Sequence, residues 1–243
     1  MNEVIRQLHD RKSVRAFCDR AIGREEKLAI LQAAAQAPTA GNQQLYTILD
    51  VTDPSLKARL AVSCDNQPFI AKADMVLIFC ADCRKWYDAF RAAGCEPRLP
   101  GVGDLLLAVS DANIAAQNAV CAAHSLGIGS CYIGDIMEGC EEHREMLGLP
   151  EYVFPAAMLV FGYPTDQQLS REKPKRGSLS HIVHENGYRL MGEGELRELF
   201  AQRCGERSFE DYMQAFCRRK YDSDFSREMT RSVKAYLTQF ERK

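Results

Sequence analysis

A chain of 243 residues, 46% hydrophobic and 26% charged, holds enough apolar material for one large globular domain, and this composition excludes global disorder. Its formal net charge of −2 leaves no basic excess to drive nucleic-acid binding, so no nucleic-acid partner is expected. No membrane span is expected either, because the most apolar long segment, residues 104–128, contains Asp104, Asp111, Asn113, Gln117, Asn118 and His124, which are costly in lipid.

Val4, Ile5 and Leu8 recur at helical spacing and predict a helix over residues 2–9. A basic loop follows, Arg11-Lys12-Ser13-Val14-Arg15. Gly23 then precedes an alanine-rich helix over residues 24–37, stopped by Pro38, with Leu28, Leu31 and Ala35 facing inward. Residues 45–51 read as a strand and residues 54–63 as a short helix. The near-continuous apolar run 74–81 reads as a strand buried on both faces. A helix over 82–93 and a proline- and glycine-broken loop over 95–103 come next.

Residues 104–126 form a long helix that is apolar nearly all round and must be surrounded by protein; a dimer interface is one way to cover it. A short helix over 141–147 and a second buried strand over 154–161 follow, then an extended polar loop over 169–187. From about Gly192 charged residues dominate, and the apolar positions Leu196, Leu199, Phe200, Tyr212, Phe216, Val233 and Tyr236 predict two or three amphipathic helices on the outside. Strands interleaved with helices indicate a mixed α/β chain.

The N-terminal residues lack the basic-then-apolar pattern of a secretory signal, so a cytoplasmic location is expected. In a reducing compartment the ten cysteines read as free thiols, many of them small buried hydrophobes. The pair Cys80 and Cys83 could be a redox dithiol or half a zinc site, but no second pair matches it. His181, His184 and Glu185 lack the helical spacing of a metalloprotease and read as surface loop. No metal is expected.

Four segments could carry chemistry. Arg11, Lys12, Ser13 and Arg15 offer cations, a hydroxyl and loop amides that suit a phosphate monoester, or a solvated basic turn. Thr39, Asn42 and Gln44 bring hydrogen-bonding groups to a turn where Gly41 allows close approach, or form an ordinary polar connection. Residues 126–135 resemble fragments of a dinucleotide fingerprint, but they follow a helix instead of opening one after a strand, which rejects a Rossmann site. Lys173, Lys175 and Arg176 suit an anion in an extended loop, or solvent alone.

Taken in order, Arg11-x-Ser13-x-Arg15-x-Phe17, Ala37-Pro38-Thr39-x-x-Asn42-x-Gln44, Gln67, Leu126-Gly127-x-Gly129-x-x-Tyr132-Ile133-Gly134, Phe161-Gly162-Tyr163-Pro164 and Lys173-Pro174-Lys175 resemble the nitroreductase family, in its larger flavin-reductase branch. The resemblance spans about residues 1–190 and extends to the charged C-terminal part. It implies an α+β fold with a central mixed or antiparallel sheet flanked by helices, in a domain-swapped type of homodimer with FMN at each subunit interface. Residues 1–190 would be the FMN-binding domain and residues 191–243 a helical extension packed on it.

By position in the resembling motifs, Arg11, Lys12, Ser13 and Arg15 would hold the FMN phosphate and ribityl chain, with Lys175 and Arg176 adding charge at the phosphate. Thr39, Asn42, Gln67, Tyr132 and Ile133 would line the flavin, Gln67 at its pyrimidine edge. Gly134 or Asp135 would offer a backbone N–H near flavin N5. Lys173 would lie at the N1–O2 edge or along the ribityl chain. Arg203 and Arg207 would grip the nicotinamide dinucleotide, favouring NADPH over NADH as donor. The chemistry would be borne by the flavin, with ping-pong transfer to a small acceptor such as a nitroaromatic, quinone or flavin. A flavin carrier or sensor without turnover is the alternative, as is another redox task on this scaffold, such as dehalogenation or enone reduction. Two departures stand out: Arg11 where the branch commonly has histidine, and Asp135 where a second glycine is frequent. A carboxylate facing the flavin there would disfavour the reduced anion.

Overall fold

The computed structural model describes residues 1–242 and divides the chain into two compact units. The first comprises Met1–Arg171 together with the stretch from Glu228 onward; the second is Glu172–Arg227. This division differs from a boundary at residue 190, because the end of the chain groups with the first unit.

The first unit is built on four strands, β1 (Tyr46–Val51), β2 (Met75–Asp82), β3 (Gly129–Ile133) and β4 (Val153–Gly162), in the order β1-β2-β4-β3. Every pairing is antiparallel, which settles the mixed-or-antiparallel alternative. All residues of β2 and β4 are buried, as their unbroken apolar runs require. Pro155 sits inside β4, where a missing N–H would leave a gap in the ladder. The register shifts there, Phe79 pairing with Ala157 and Cys80 with Pro155, so a bulge absorbs the proline.

Helices cover both faces. On one face lie α2 (Arg24–Ala35) and α6 (Val102–Ser125), whose Ala108, Ala112, Ala115, Ala116, Ala119 and Ala123 are fully buried; their small side chains let the helix sit close to Leu77, Phe79, Leu159 and Phe161. On the other face are α3 (Pro54–Ser63) and α4 (Pro68–Lys72), with Leu60, Ile70 and Leu149 packed against Val76, Ile78 and Met158. α7 (Cys140–Leu147) follows the turn after β3. α6 is long and apolar enough to cross a membrane by length and composition, but its inner face is part of this core. Its outer face exposes Leu106, Leu107 and Ile114, and α1 (Glu3–Asp10) exposes Val4, Ile5 and Leu8.

Apart from short 3-10 turns, one strand and two α-helices go beyond the sequence-based expectations: β3, α4 and α8 (Asp166–Ser170). β3 contains Gly129 and follows Gly127, which weakens any strand signal. The glycine is there for a contact. The loop 11–17 runs beside the sheet, with Ser13 bridging Ser130 in parallel, the Val14 N–H donating to the Ser130 carbonyl at 2.9 Å, and Phe17 bridging Pro164. A β-carbon on Gly129 would meet Val14, and one on Gly162 would meet Phe17, each at 2.7 Å.

The second unit contains a 3-10 turn at Leu179–His181, α9 (Glu193–Cys204), α10 (Phe209–Lys220) and the start of α11 (Asp224–Leu237). Arg197 ties α9 to α10, reaching Glu193 at 2.7 Å and Glu210 at 2.5 Å. The expectation that all the C-terminal helices lie outside is corrected at α11. In the first unit, Tyr236 is fully buried with its ring edge-on to Phe154 at 5.0 Å, and the buried Ser232 hydroxyl donates to the Met137 carbonyl at 2.7 Å and accepts the Cys140 N–H at 2.9 Å.

Candidate functional site

The loop 11–17 and strand β3 together place several predicted residues in one neighbourhood. Burial raises the Cys131 thiol above its ordinary value, and Arg15, Ser13 and Arg11 each pull it back down. Three side chains from the basic loop therefore converge on one residue of β3. The next residue, Tyr132, is half-buried. Burial pushes its phenol up to about 12 against the pull of Arg11, and its hydroxyl donates to Gln117 at 3.3 Å. Arg11 Nε is enclosed and has no hydrogen-bond partner among the described residues. A buried guanidinium N–H without an acceptor is costly, so this atom fits an anionic ligand.

Lys12 faces differently. Its ammonium donates to the Leu169 carbonyl at 2.7 Å and to the Arg171 carbonyl, while Arg171 Nη2 donates back to the Ser13 carbonyl at 2.6 Å. Arg15 contributes its own N–H to Gln168 Oε1 at 3.3 Å. Together these bonds hold the loop in place from its other side. Arg11, Lys12 and Ser130 line a cavity of about 110 Å³ there.

At the far end of β3, Ile133 is buried, Gly134 is exposed, and Asp135 is half-buried. A β-carbon added at Gly134 would meet nothing within 4 Å. The open space over Gly134 leaves its backbone accessible to a flat ligand. Asp135 helps burial push the Cys64 thiol up to about 12, so its carboxylate lies near the end of α3. Gln67 is in the same place, its Nε2 donating to the Cys64 carbonyl at 2.7 Å and its N–H to the Ala61 carbonyl at 2.8 Å. From Cys131 to Gly134 the strand rises roughly 10 Å. A line of groups thus runs from the cations at Cys131, past Tyr132, to an open amide, Asp135 and Gln67.

The backbone leading to Gln67 is strained: Asp65 and Asn66 have φ of 62° and 50°. Sequence reasoning misses Glu138, whose carboxyl is pushed up to about 7 by burial, then by Asp135, Glu228 and Asp65. Its Oε1 has no partner among the described residues. The only sequence signal is a carboxylate close to Asp135, which an exposed turn would equally show.

The turn carrying Thr39 and Asn42 lies elsewhere in the unit, before β1, at the sheet edge opposite β3. Asp111, buried in α6, accepts the Ala40 N–H at 2.9 Å and the Leu45 N–H at 3.1 Å. Trp86 Nε1 donates to the Gln43 carbonyl at 2.7 Å, and Thr39 Oγ1 accepts the Gln44 N–H at 3.1 Å. Asn42 and Gln44 take φ of 56° and 50°, a left-handed conformation that these bonds enforce. No hydrogen bond among the described residues joins this turn to the loop 11–17. In sequence, Asp111 is only an interruption of an apolar helix; its role needs the tertiary fold to be seen.

Lys173, Lys175 and Arg176 belong to the second unit, Lys175 and Arg176 exposed and Lys173 half-buried. Arg203 and Arg207 are in the same unit, the first over the Phe200 ring at 5.5 Å and the second over Tyr212 at 4.9 Å. A larger cavity in the first unit, about 290 Å³ between Trp86 and Phe90 of α5 (Arg84–Ala92), Pro97 and Leu107, contains none of the predicted residues, and its charges, Arg98 and Asp104, are paired with each other. Size alone therefore does not locate the chemistry. Cys80 and Cys83 are buried free thiols, both pushed up to about 12 by burial, which makes them poor nucleophiles.

A family model described as the nitroreductase family matches residues 8–163. The chain is 33% identical over 192 residues to the FMN reductase (NADPH) of Bacillus subtilis, covering 78% of this chain and 76% of that one. It is 32% identical over 194 residues to the oxygen-insensitive NADPH nitroreductase of Salmonella typhimurium, covering 79% and 78%. Among solved structures, NfrA2 of B. megaterium superposes with a TM-score of 0.86 at 31% identity, covering 99% of this chain and 98% of that one. With the match across the sheet, the loop 11–17 and β3, the chain belongs to the nitroreductase family.

Proposed function

We propose that this chain is an FMN-dependent oxidoreductase that takes electrons from NADPH or NADH and passes them to a small acceptor such as a nitroaromatic, a quinone or a flavin. The observation that carries this reading is the convergence of Arg11, Ser13 and Arg15 on Cys131, one short strand away from the open amide at Gly134 and from Gln67. The names of the relatives, an FMN reductase and an NADPH nitroreductase, support the same chemistry.

The residues present fit FMN: an enclosed, unpaired guanidinium N–H at Arg11 suits its phosphate, and the open backbone at Gly134 suits its flat ring. Bound there, FMN would supply the redox chemistry between a nicotinamide donor and the acceptor. Arg11, Ser13 and Arg15 would hold the phosphate and ribityl chain, with Lys12 fixing the loop. Gln67 would bind the pyrimidine edge, Tyr132 and Ile133 would back the ring, and Gly134 or Asp135 would offer its N–H to the flavin. Arg203 and Arg207 take the dinucleotide.

The protein acts as a homodimer in the cytoplasm. Thr39 and Asn42 reach the flavin from a second copy, since their own turn is at the opposite sheet edge from β3. The exposed Val4, Ile5 and Leu8 of α1 and Leu106, Leu107 and Ile114 of α6 supply apolar surface for that contact. The deciding experiment is anaerobic: a yellow purified protein should bleach with NADPH or NADH and recolour with an added acceptor. Bound flavin inert to both donors makes the protein a carrier or sensor instead, and a protein that takes up no FMN ends both readings.

A further inference from the structure

α7 carries one histidine, His143, which is fully buried and bonded at both ring nitrogens. Nδ1 lies 3.0 Å from the Ile136 carbonyl, and Nε2 lies 2.8 Å from Ser63 Oγ. A carbonyl can only accept, so Nδ1 carries the proton. Nε2 and the Ser63 hydroxyl share the second hydrogen bond, and the same hydroxyl lies 3.5 Å from the Leu60 carbonyl. Both ring nitrogens are thus engaged, one to each partner.

The two partners belong to the two walls of the site. Ile136 lies in the 3-10 turn Gly134–Met137, two residues from Gly134. Ser63 ends α3 and precedes Cys64, whose carbonyl accepts from Gln67 Nε2. Leu60, Cys64 and Ile136, all fully buried, belong to the core that these elements share. The bond to the Ile136 carbonyl is buried and faces little competition from water, while the bond to the half-buried Ser63 is partly enclosed. The link between Ser63 and Gln67 also runs through the left-handed Asp65 and Asn66, a conformation that persists only where neighbours enforce it.

We infer that His143 is a positioning residue: by bonding Ser63 at one end and the Ile136 carbonyl at the other, it sets the spacing between Gln67 and the Gly134–Asp135 amides, and hence how the flavin's pyrimidine and N5 edges are held. This rests on the FMN reading. It names a residue that touches no ligand and acts through two others. Leucine at this position would fill much of the same volume while releasing both walls.

The test uses full-length protein stripped of flavin. FMN is titrated into wild type, His143→Leu, Ser63→Ala and a control, Val51→Ala, which trims the same core at the far edge of the sheet. Binding is followed by flavin fluorescence and the seating of the ring by visible circular dichroism. His143→Leu should weaken FMN about tenfold and change the visible dichroism, Ser63→Ala should do so in part, and Val51→Ala should lower stability without either effect. Ser63→Ala removes only one end of the tie and decides the question should His143→Leu not fold.

Separately, 15N spectra of histidine-labelled apoprotein should show one buried ring protonated at Nδ1. The opposite tautomer, or variants that match wild type in affinity and dichroism, overturn the role given to His143 and leave the FMN reading standing. Wild type that binds no FMN overturns both, whatever the tautomer.

Discussion

Val14 lies so close over Gly129 that a β-carbon on the glycine would stand 2.7 Å from the valine's own. The basic loop is held on β3 through that contact, so Gly129→Ala must push the loop outward. Overpacking of this kind should cost about 1–3 kcal/mol of stability. It should weaken FMN by more than an order of magnitude, since Arg11, Ser13 and Arg15 all move with the loop. Thermal melting and FMN titration on the same variant check both.

Arg15→Ala should weaken FMN retention on the order of tenfold to a hundredfold, the usual scale for losing a charge-assisted contact to phosphate. The fold should be unaffected, because the bond that Arg15 makes to Gln168 comes from its backbone. Flavin absorbance before and after gel filtration reads the effect. Full, tightly held FMN in the variant would remove Arg15 from the site.

Asp111→Ala would leave the N–H groups of Ala40 and Leu45 without their acceptor. One is buried, and each lost charge-assisted bond is worth about 1.5–3 kcal/mol, so unfolding in urea should show a loss of roughly 3 kcal/mol or more. Asp111→Asn keeps one acceptor and should lose about half as much.

Glu138 makes stability depend on pH. Its folded carboxyl titrates at about 7, above the ordinary 4.5, so between those values the folded protein holds a proton that the unfolded chain releases. Its contribution is complete below pH 4.5, declines as pH rises, and is lost above about 7. Glu138→Gln should therefore stabilise the protein at pH 8 by about 1–2 kcal/mol, after allowing for solvent screening at this half-buried site, and by nothing at pH 4. Denaturant curves at the two pH values give the comparison.

Replacing Arg203 and Arg207 together with alanine should raise the KM for NADPH severalfold and leave that for NADH unchanged. Steady-state rates with both donors decide it; equal effects on the two would place these arginines away from the 2′-phosphate.

Much of the first unit is legible in the sequence because β2 and β4 are unbroken apolar runs and α6 is long enough to fix its own type, but the inward face of α2 is carried by Ile30 and Ala34, not by the expected Leu28 and Ala35, which are exposed. The helix at Pro54–Ser63 is legible to the residue, with Asp53 capping it at Ser55 and proline at its start. β3 is not legible: its glycines serve a contact with a loop far away in sequence, and local pattern holds no trace of that partner. Within the site, the charges of the basic loop and the openness of Gly134 follow from residue type. The roles of Asp111 and Glu138 do not, since each is made by burial against elements that the chain brings together only on folding. Lys12 shows the opposite limit: a cation in a cationic motif whose ammonium is taken up by two backbone carbonyls.

The bridge between Ser13 and Ser130 also fixes the order in which the binding cradle can be assembled. Nearly half the chain separates its two sides, so closing it carries a large loop entropy and must await the pairing of β3 with β4. During synthesis the basic arm leaves the ribosome long before the strand that receives it. A ligand gripped by the arm would favour its seated position and draw its binding energy into the last step of folding. Cofactor supply and protein maturation would in that way be a single equilibrium.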